Sequence, residues 1–202
     1  MIIMTLQIGI YIVITILGLS SYIIGLWKIL INQYSPSTFS RVVWVLLAVN
    51  SFSSVALSNS SQASLLLAAI SLAGNIAICI ASFWKGTKEM GQLEYVCVAL
   101  LILSGLVWIF FNAPLVNLGI SLLAHFIGAG PTYKKVFRNP HSENMAFWLL
   151  FFLASVLSIF VSDTMSFKAI ILPVYYALFD GSIIVLILRK SMMKLGRAVT
   201  PI

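Results

Sequence analysis

The chain has 202 residues, of which 61% are hydrophobic and only 8% are charged, and its formal net charge is +7. Roughly 25% of the residues of an ordinary soluble domain are charged, so this chain has too few polar side chains to cover a water-exposed surface. The composition excludes a soluble enzyme, a nucleic-acid-binding domain and a disordered linker, and it predicts an all-α integral membrane protein.

Seven apolar segments follow one another along the chain, each close to the roughly 20 residues that a helix needs to cross a bilayer. Short polar connections separate them, and none has the strict alternation of a β-barrel strand. The first segment has no preceding lysine or arginine and is too long for the apolar part of a signal peptide, so we interpret it as a span. In chain order the predicted spans are 6–27, 42–58, 63–84, 95–111, 115–133, 145–161 and 169–188.

The basic residues test this count of spans. With seven spans, the connections after the first, third and fifth spans share one side with the C-terminal segment. Eleven of the twelve lysines and arginines fall on that side, and Lys168 is the exception. Because basic residues accumulate on the cytoplasmic side, we expect the N-terminus outside and the C-terminus in the cytoplasm. We expect the membrane to be a prokaryotic inner membrane, and the charge to reflect orientation in a lipid bilayer rather than binding to nucleic acid.

The two halves of the chain resemble each other in sequence. The Pro36–Trp44 segment has its counterpart in Pro140–Trp148, 104 residues later, and Asn75 precedes Asp180 by 105 residues. One helix lies between the two repeated groups of three, and an odd number of intervening helices gives both groups the same orientation. The pattern therefore predicts two parallel triple-helix bundles joined by a linker helix, a 3+1+3 plan. The predicted units are a first bundle at 1–90, a linker helix at 91–113 and a second bundle with a basic tail at 114–202.

Polar residues at mid-membrane depth are the candidates for function, because burying them in lipid is costly. Asp180 and Asn75 occupy equivalent positions in the two halves, and we expect both to bind a substrate. Asn50 in the second span and Tyr176, one helical turn before Asp180, are further candidates for substrate binding. His125 is a candidate to share a proton with Asp180. The alternatives are interhelical hydrogen bonds for the polar groups and core packing for His125 and Tyr176.

Four further residues are candidates for gating. Trp44 and Trp148 are repeat equivalents near the cytoplasmic ends of their spans, where they could close a pathway or belong to an interfacial aromatic belt. Gly130 and Pro131 weaken the fifth span near its cytoplasmic end. A hinge and close helix packing are both consistent with this pair.

The sequence predicts no metal site, no cofactor and no enzyme. Cys79 and Cys97 lie in or beside apolar segments, and no cysteine–histidine spacing is typical of a zinc site. The spans contain no HExxH motif, no paired aspartates and no serine–histidine dyad on neighbouring spans. The seventh span has no lysine that could form a Schiff base, which disfavours a retinal-type photoreceptor.

The segment that ends the fifth span resembles a known motif. It reads Gly130-Pro-Thr-Tyr-Lys-Lys135, and Pro140, Glu143 and Trp148 follow. This resembles the PQ-loop segment that closes the first helix of each bundle in the MtN3/SWEET/PQ-loop superfamily, to which vitamin transporters of the nicotinamide riboside type are related. The resemblance implies transport of a small solute by alternating access between two three-helix bundles.

The resemblance extends to particular positions. In the sugar-transporting branch a pair of asparagines on helices three and seven binds the substrate, and Asn75 and Asp180 occupy the matching positions here. The proline–glutamine pair appears as Pro131-Thr132, and Leu26 stands where the first bundle of the family carries a proline.

These observations favour a transporter or facilitator of a small polar metabolite, of the sugar or vitamin-precursor class, with Asp180 able to couple transport to a proton. The alternative is a receptor, or a subunit of a larger assembly, that uses the same fold without transport. One chain contains both bundles, so a monomer is sufficient, and the sequence leaves the oligomeric state open.

Overall fold

The computed structural model describes residues 2–88 and 91–199, with side chains described at 5–88, 91–140 and 142–189. Within these residues the chain is helical, apart from its connections and one isolated bridge between Ser37 and Thr87. The prediction of an all-α chain is confirmed. The helices are α1 (Ile2–Leu30), α2 (Thr38–Leu57), α3 (Gln62–Lys85), α4 (Gln92–Phe111), α5 (Pro114–Gly128), α6 (Gly130–Arg138), α7 (Met145–Phe160) and α8 (Phe167–Val199), with a 3-10 turn at Pro140–Ser142.

Six helical segments within the described residues are long and apolar enough to cross a membrane, with α5 and α6 counted as one. The seventh apolar helix, α7, has 16 residues. At 1.5 Å per residue it spans about 24 Å, which is shorter than the hydrocarbon thickness of about 30 Å. The chain is thus consistent with an integral membrane protein, and its sixth predicted span is a short one.

Two predicted boundaries are corrected. The predicted fifth span at 115–133 is divided at Ala129, where α5 ends and α6 begins. Pro131 has no N–H to donate to the carbonyl of Ile127, so the helix cannot continue through this point with its normal hydrogen bonds. The basic segment after residue 188, predicted as a tail, continues α8 to Val199.

Asparagines end three of the helices. Asn32, Asn59 and Asn112 follow α1, α2 and α4 with φ angles of 59°, 49° and 45°. This left-handed conformation closes the last turn of a helix, and asparagine tolerates it better than most other residues. These positions explain why the chain reverses direction within a few residues.

Six helical segments form a ring. In the first half of the chain, α3 packs against both α1 and α2. The ring continues from α1 to α7 and from α2 to α5. It closes through α8, which packs against α7 and against α5 and α6. The remaining helix, α4, lies outside the ring against α5 and α2.

Large apolar side chains cover the outside of this ring. Trp84, Ile109, Phe110, Phe111 and Phe160 are each at least 75% exposed. A soluble monomer rarely exposes so much contiguous apolar surface. Such a surface fits contact with lipid tails.

The two ends of the ring differ in charge. We name the basic end after Lys28, Arg41, Lys85 and Lys135, which lie where α1, α3 and α6 end and α2 begins. The opposite end contains the loop at 58–61 and the connection between α7 and α8.

Candidate functional site

A cavity of about 260 Å³ lies inside the ring of helices. Its lining extends from Asn75 and Asp180 in the interior to Gln33 and Asn144, which lie in connections at the basic end. Six of the residues that the sequence singled out line this one cavity: Trp44, Asn75, His125, Trp148, Tyr176 and Asp180.

Asp180 is buried in the wall of the cavity. Its side chain is 2% exposed, and Oδ2 has no hydrogen-bond partner among the described residues. Asp180 lies nine residues before Arg189 on α8, or about 13.5 Å along the helix axis. An ionised group at such a depth costs about 3 kcal/mol even on permissive insertion scales, which makes a purely structural role expensive.

No described cation neutralises Asp180. The single ion pair among the described side chains joins Lys135 to Glu143 at 2.9 Å, at the basic end. The carboxyl group is therefore available to a proton or to a cationic solute.

Asn75 is held with its amide group in a defined orientation. Its Nδ2 donates to the backbone carbonyl of Ser71 at 2.9 Å and to the hydroxyl of Tyr22 at 3.3 Å. Because only the NH₂ group can donate to a carbonyl, these bonds fix which end of the amide is oxygen. The amide oxygen accepts no hydrogen bond from the described residues and can accept one from a solute.

Two tyrosines extend this network across three helices. The Tyr22 hydroxyl donates to Ser71 Oγ at 3.3 Å, and Ser71 Oγ lies 3.0 Å from the Tyr176 hydroxyl. The Tyr22 ring lies directly on Gly74, where an added Cβ would be only 2.1 Å from it. A larger residue at position 74 would therefore have to displace the Tyr22 ring. At this inner end of the cavity α1, α3 and α8 meet.

Aromatic rings form much of the wall. Neighbouring rings are in edge-to-face contact, with centroids 4.9–6.0 Å apart, which is a favourable geometry. The ring of Trp148 belongs to this set, is 6% exposed, and its Nε1 has no hydrogen-bond partner among the described residues. The set, which we name the aromatic wall, comprises Tyr22, Phe147, Trp148, Phe151, Tyr176 and Phe179.

His125 lines the cavity, but its hydrogen-bond partner is not Asp180, with which the sequence predicts that it shares a proton. Its Nδ1 lies 2.8 Å from the Tyr175 hydroxyl, and its ring centroid is 4.6 Å from that of Trp44. Among the described contacts no hydrogen bond joins His125 to Asp180. The two side chains are therefore not in direct hydrogen-bond contact in this conformation.

A cationic cluster lies where the cavity reaches the basic end. The Arg41 guanidinium donates to the Tyr34 hydroxyl at 2.6 Å and lies 5.0 Å from the ring centroid of Trp44. Lys135 lies 4.9 Å from the ring centroid of Tyr34. We name Tyr34, Arg41, Trp44 and Lys135 the mouth cluster. From the sequence, Arg41 is predicted only to help set the orientation in the membrane, although its position three residues before Trp44 indicates a shared helix face.

Asn50 does not line the cavity. It forms a buried polar cluster with Asn117, in which each amide donates to the other, at 2.9 and 3.1 Å. Ser54, Ser104 and Ser121 complete the cluster, which joins α2, α4 and α5. Asn117 was not among the predicted functional residues. An asparagine three residues after Pro114, inside an apolar helix, nevertheless indicates a buried polar contact.

Gly130 and Pro131 lie at the break between α5 and α6 and not on the cavity wall. An added Cβ at Gly130 would lie 2.8 Å from Leu93, so this glycine allows α4 to approach closely. The break itself is at Ala129, whose N–H bonds to the carbonyls of His125 and Phe126. Both roles expected for this pair, a hinge and close packing, therefore stay open.

Hydrogen bonds close the opposite end of the ring. The hydroxyls of Ser61 and Ser64 both donate to the carbonyl of Ala169, at 3.0 and 2.5 Å. Below this seam, apolar side chains including Leu67 and Leu172, both 0% exposed, fill the ring. Among the described residues, the lining of the cavity continues toward the basic end, whereas apolar side chains fill the ring at the opposite end.

Among the described residues, no three histidine, cysteine, aspartate or glutamate side chains come together as metal ligands. Comparison of the chain with protein-family models, with curated proteins and with solved structures gives no match.

Proposed function

We propose that this protein is a membrane transporter or facilitator that moves a small polar solute by alternating access. The observation that carries the proposal is the cavity itself. It joins Asn75 and Asp180, from different halves of the chain, to the basic end, while hydrogen bonds and apolar side chains seal the opposite end. A cavity that is sealed at one end and lined with polar groups at mid-depth is typical of one state of a transport cycle.

The helix contacts support two moving units within the 3+1+3 plan. In the first unit α3 packs between α1 and α2, and in the second α8 packs against α7 and α6. The most extensive contacts between units are α1 with α7 and α2 with α5, an exchange that a pseudo-two-fold axis would generate, and α3 also contacts α7 and α8. Rocking of one unit against the other would open the sealed end.

The distribution of basic residues supports an orientation with the basic end in the cytoplasm. The cavity then faces inward in this conformation. The mouth cluster would be the inner gate, and the Ser61–Ser64–Ala169 seam would be the outer one.

Asp180 is the residue on which coupling would depend. Its carboxyl group has no described cationic partner, so it would bind either the solute or a proton that moves with it. His125 would act through its hydrogen bond to Tyr175, on the same helix as Asp180, rather than on Asp180 itself.

Uptake into proteoliposomes tests the proposal. A panel of labelled sugars, vitamin precursors, amino acids and amines would be assayed at two external pH values, for the wild type and Asp180→Asn. Asp163→Asn is the matched control, because it removes a carboxylate that is exposed at the opposite end and bonds only to Gln7 in the described contacts. We expect uptake of at least one solute, lost in Asp180→Asn and retained in the control.

The pH dependence separates two mechanisms. Uptake that varies with pH in the wild type indicates proton coupling, whereas uptake indifferent to pH indicates a facilitator. No uptake of any solute by folded protein would contradict transport and favour the receptor alternative.

A further inference from the structure

We propose that the inner end of the cavity is a seat for a small organic cation, with Asp180 as its counter-ion and the aromatic wall as its enclosure. This assignment rests on the proposed transport function and names the class of solute. It follows from three features of the cavity: its charges, its walls and its size.

The charges of the cavity are separated along its length. Four charged residues line it, and three of them lie toward the basic end: Lys28, Arg41 and Glu143. Each of these three has a protein partner, since Lys28 donates to Gln33, Arg41 to Tyr34, and Glu143 accepts from Lys135. Of the four, only Asp180 has a buried oxygen without a hydrogen-bond partner among the described residues. Because Gln33 and Tyr34 are neutral, the positive charges of Lys28 and Arg41 stay at the basic end, and the uncompensated charge at the inner end is the negative one of Asp180.

The walls around Asp180 suit a cation better than a neutral polyol. Aromatic faces attract ammonium groups through the ring quadrupole, and several rings around one site are the usual way to bind a methylated ammonium. Here six rings meet in one contiguous wall. A sugar would need many hydrogen-bonding groups, whereas the tyrosine hydroxyls at this end already bond to Ser71, which leaves the Asn75 amide oxygen, Trp148 Nε1 and Asp180.

The size of the cavity limits the solute. A volume of about 260 Å³ lies just below the roughly 300–1,000 Å³ that is usual for small-molecule sites. A compact amine or quaternary ammonium compound fits, but a nucleotide or an oligosaccharide does not.

Two compounds of the same shape and different charge provide the test. Choline carries a quaternary ammonium, and 3,3-dimethyl-1-butanol replaces its nitrogen with carbon. Binding is read from tryptophan fluorescence after Trp27, Trp84 and Trp108 are replaced by phenylalanine, which leaves the two tryptophans of the cavity. A second pair, benzylamine and benzyl alcohol, extends the comparison to a flat primary amine.

We expect the cation of at least one pair to bind at least tenfold more tightly than its neutral partner. The ratio should fall to within twofold in Asp180→Asn and persist in Asp163→Asn. Equal affinities of cation and neutral partner in both pairs would overturn the assignment, and so would a ratio that Asp180→Asn leaves unchanged. The comparison of ligands in the chain with Asp180 intact needs no substitution in the cavity, so it stands even if Asp180→Asn is unstable.

The outcomes distinguish this assignment from the proposed function. Charge-selective binding without uptake supports the cation seat and contradicts transport. Uptake of a neutral solute without charge-selective binding supports transport and overturns the cation seat.

Discussion

Removing the Ser64 hydroxyl should loosen the sealed end of the cavity. This group is buried and donates across the ring, from α3 to the Ala169 carbonyl at the start of α8. Interhelical hydrogen bonds in membrane proteins average about 0.6 kcal/mol, with a maximum near 1.7. Ser64→Ala should therefore shift the equilibrium toward an opening at this end by about threefold, and by at most about eighteenfold. We expect the lower value, because Ser61 still bonds to the same carbonyl.

Labelling of a buried thiol at the sealed end measures this shift. Leu172→Cys, in a chain whose Cys79 and Cys97 are replaced by alanine, places a reporter in the apolar layer below the seam. A membrane-impermeant maleimide added outside should react about three times faster when Ser64→Ala is also present. The matched control is Ser158→Ala, which is equally buried but bonds to the carbonyl of Ala154 on its own helix. An unchanged rate in Ser64→Ala, or an equal increase in the control, would refute the reasoning.

Two further predictions concern packing and buried polar groups. Gly74→Ala should force the Tyr22 ring away, because the new Cβ would lie 2.1 Å from it. Overpacking of this kind costs about 1–3 kcal/mol. The unfolding temperature in detergent should fall by several degrees, while Gly105→Ala, with nothing within 4 Å, should leave it unchanged. Asn117→Ala removes both hydrogen bonds between the two amides and leaves the Asn50 amide with Ser104 and Ser121 as its partners, at a cost of about 1–3 kcal/mol. Adding Asn50→Ala should then cost less than it does alone, and a strictly additive double-mutant cycle would contradict the shared network.

The sequence predicts how deep a residue lies in the membrane, but it does not predict which neighbouring helices the side chain contacts. Asp180 and Asn75 stand out because they interrupt long apolar runs, and both line the cavity. Asn50 interrupts its helix in the same way, yet it faces α4 and α5. Which side of α2 meets the cavity depends on the order of helices in the ring, and no local pattern encodes that order.

Partners were harder to predict than positions. The depth of His125 in the membrane could be predicted from the sequence. Its hydrogen bond to Tyr175 could not, because that bond depends on how α5 packs against α8. The sequence did not indicate a functional role for Tyr22 or Ser71, because tyrosine and serine are common in apolar helices. Serine in such a helix often bonds to the backbone of its own helix. Their role depends on the contact of α1 with α3, which Gly74 allows.

The break in the fifth span could be predicted in part from the sequence. A Gly-Pro pair predicts a weak point because proline lacks the N–H that a helix interior needs. The continuation of α6 to Arg138 could not be predicted, because the polar and basic residues of this segment are typical of a connection between helices.

The central claim is that the two ends of the cavity open in alternation, and one labelling experiment tests it without knowledge of the solute. Thr132→Cys lies at the basic end of the cavity and Leu172→Cys in the sealed layer. A bulky maleimide attached at position 132 should hold the basic end open. Alternating access then requires the sealed end to stay shut, and we expect the labelling rate at position 172 to fall at least tenfold. An unchanged rate at position 172 would contradict the account.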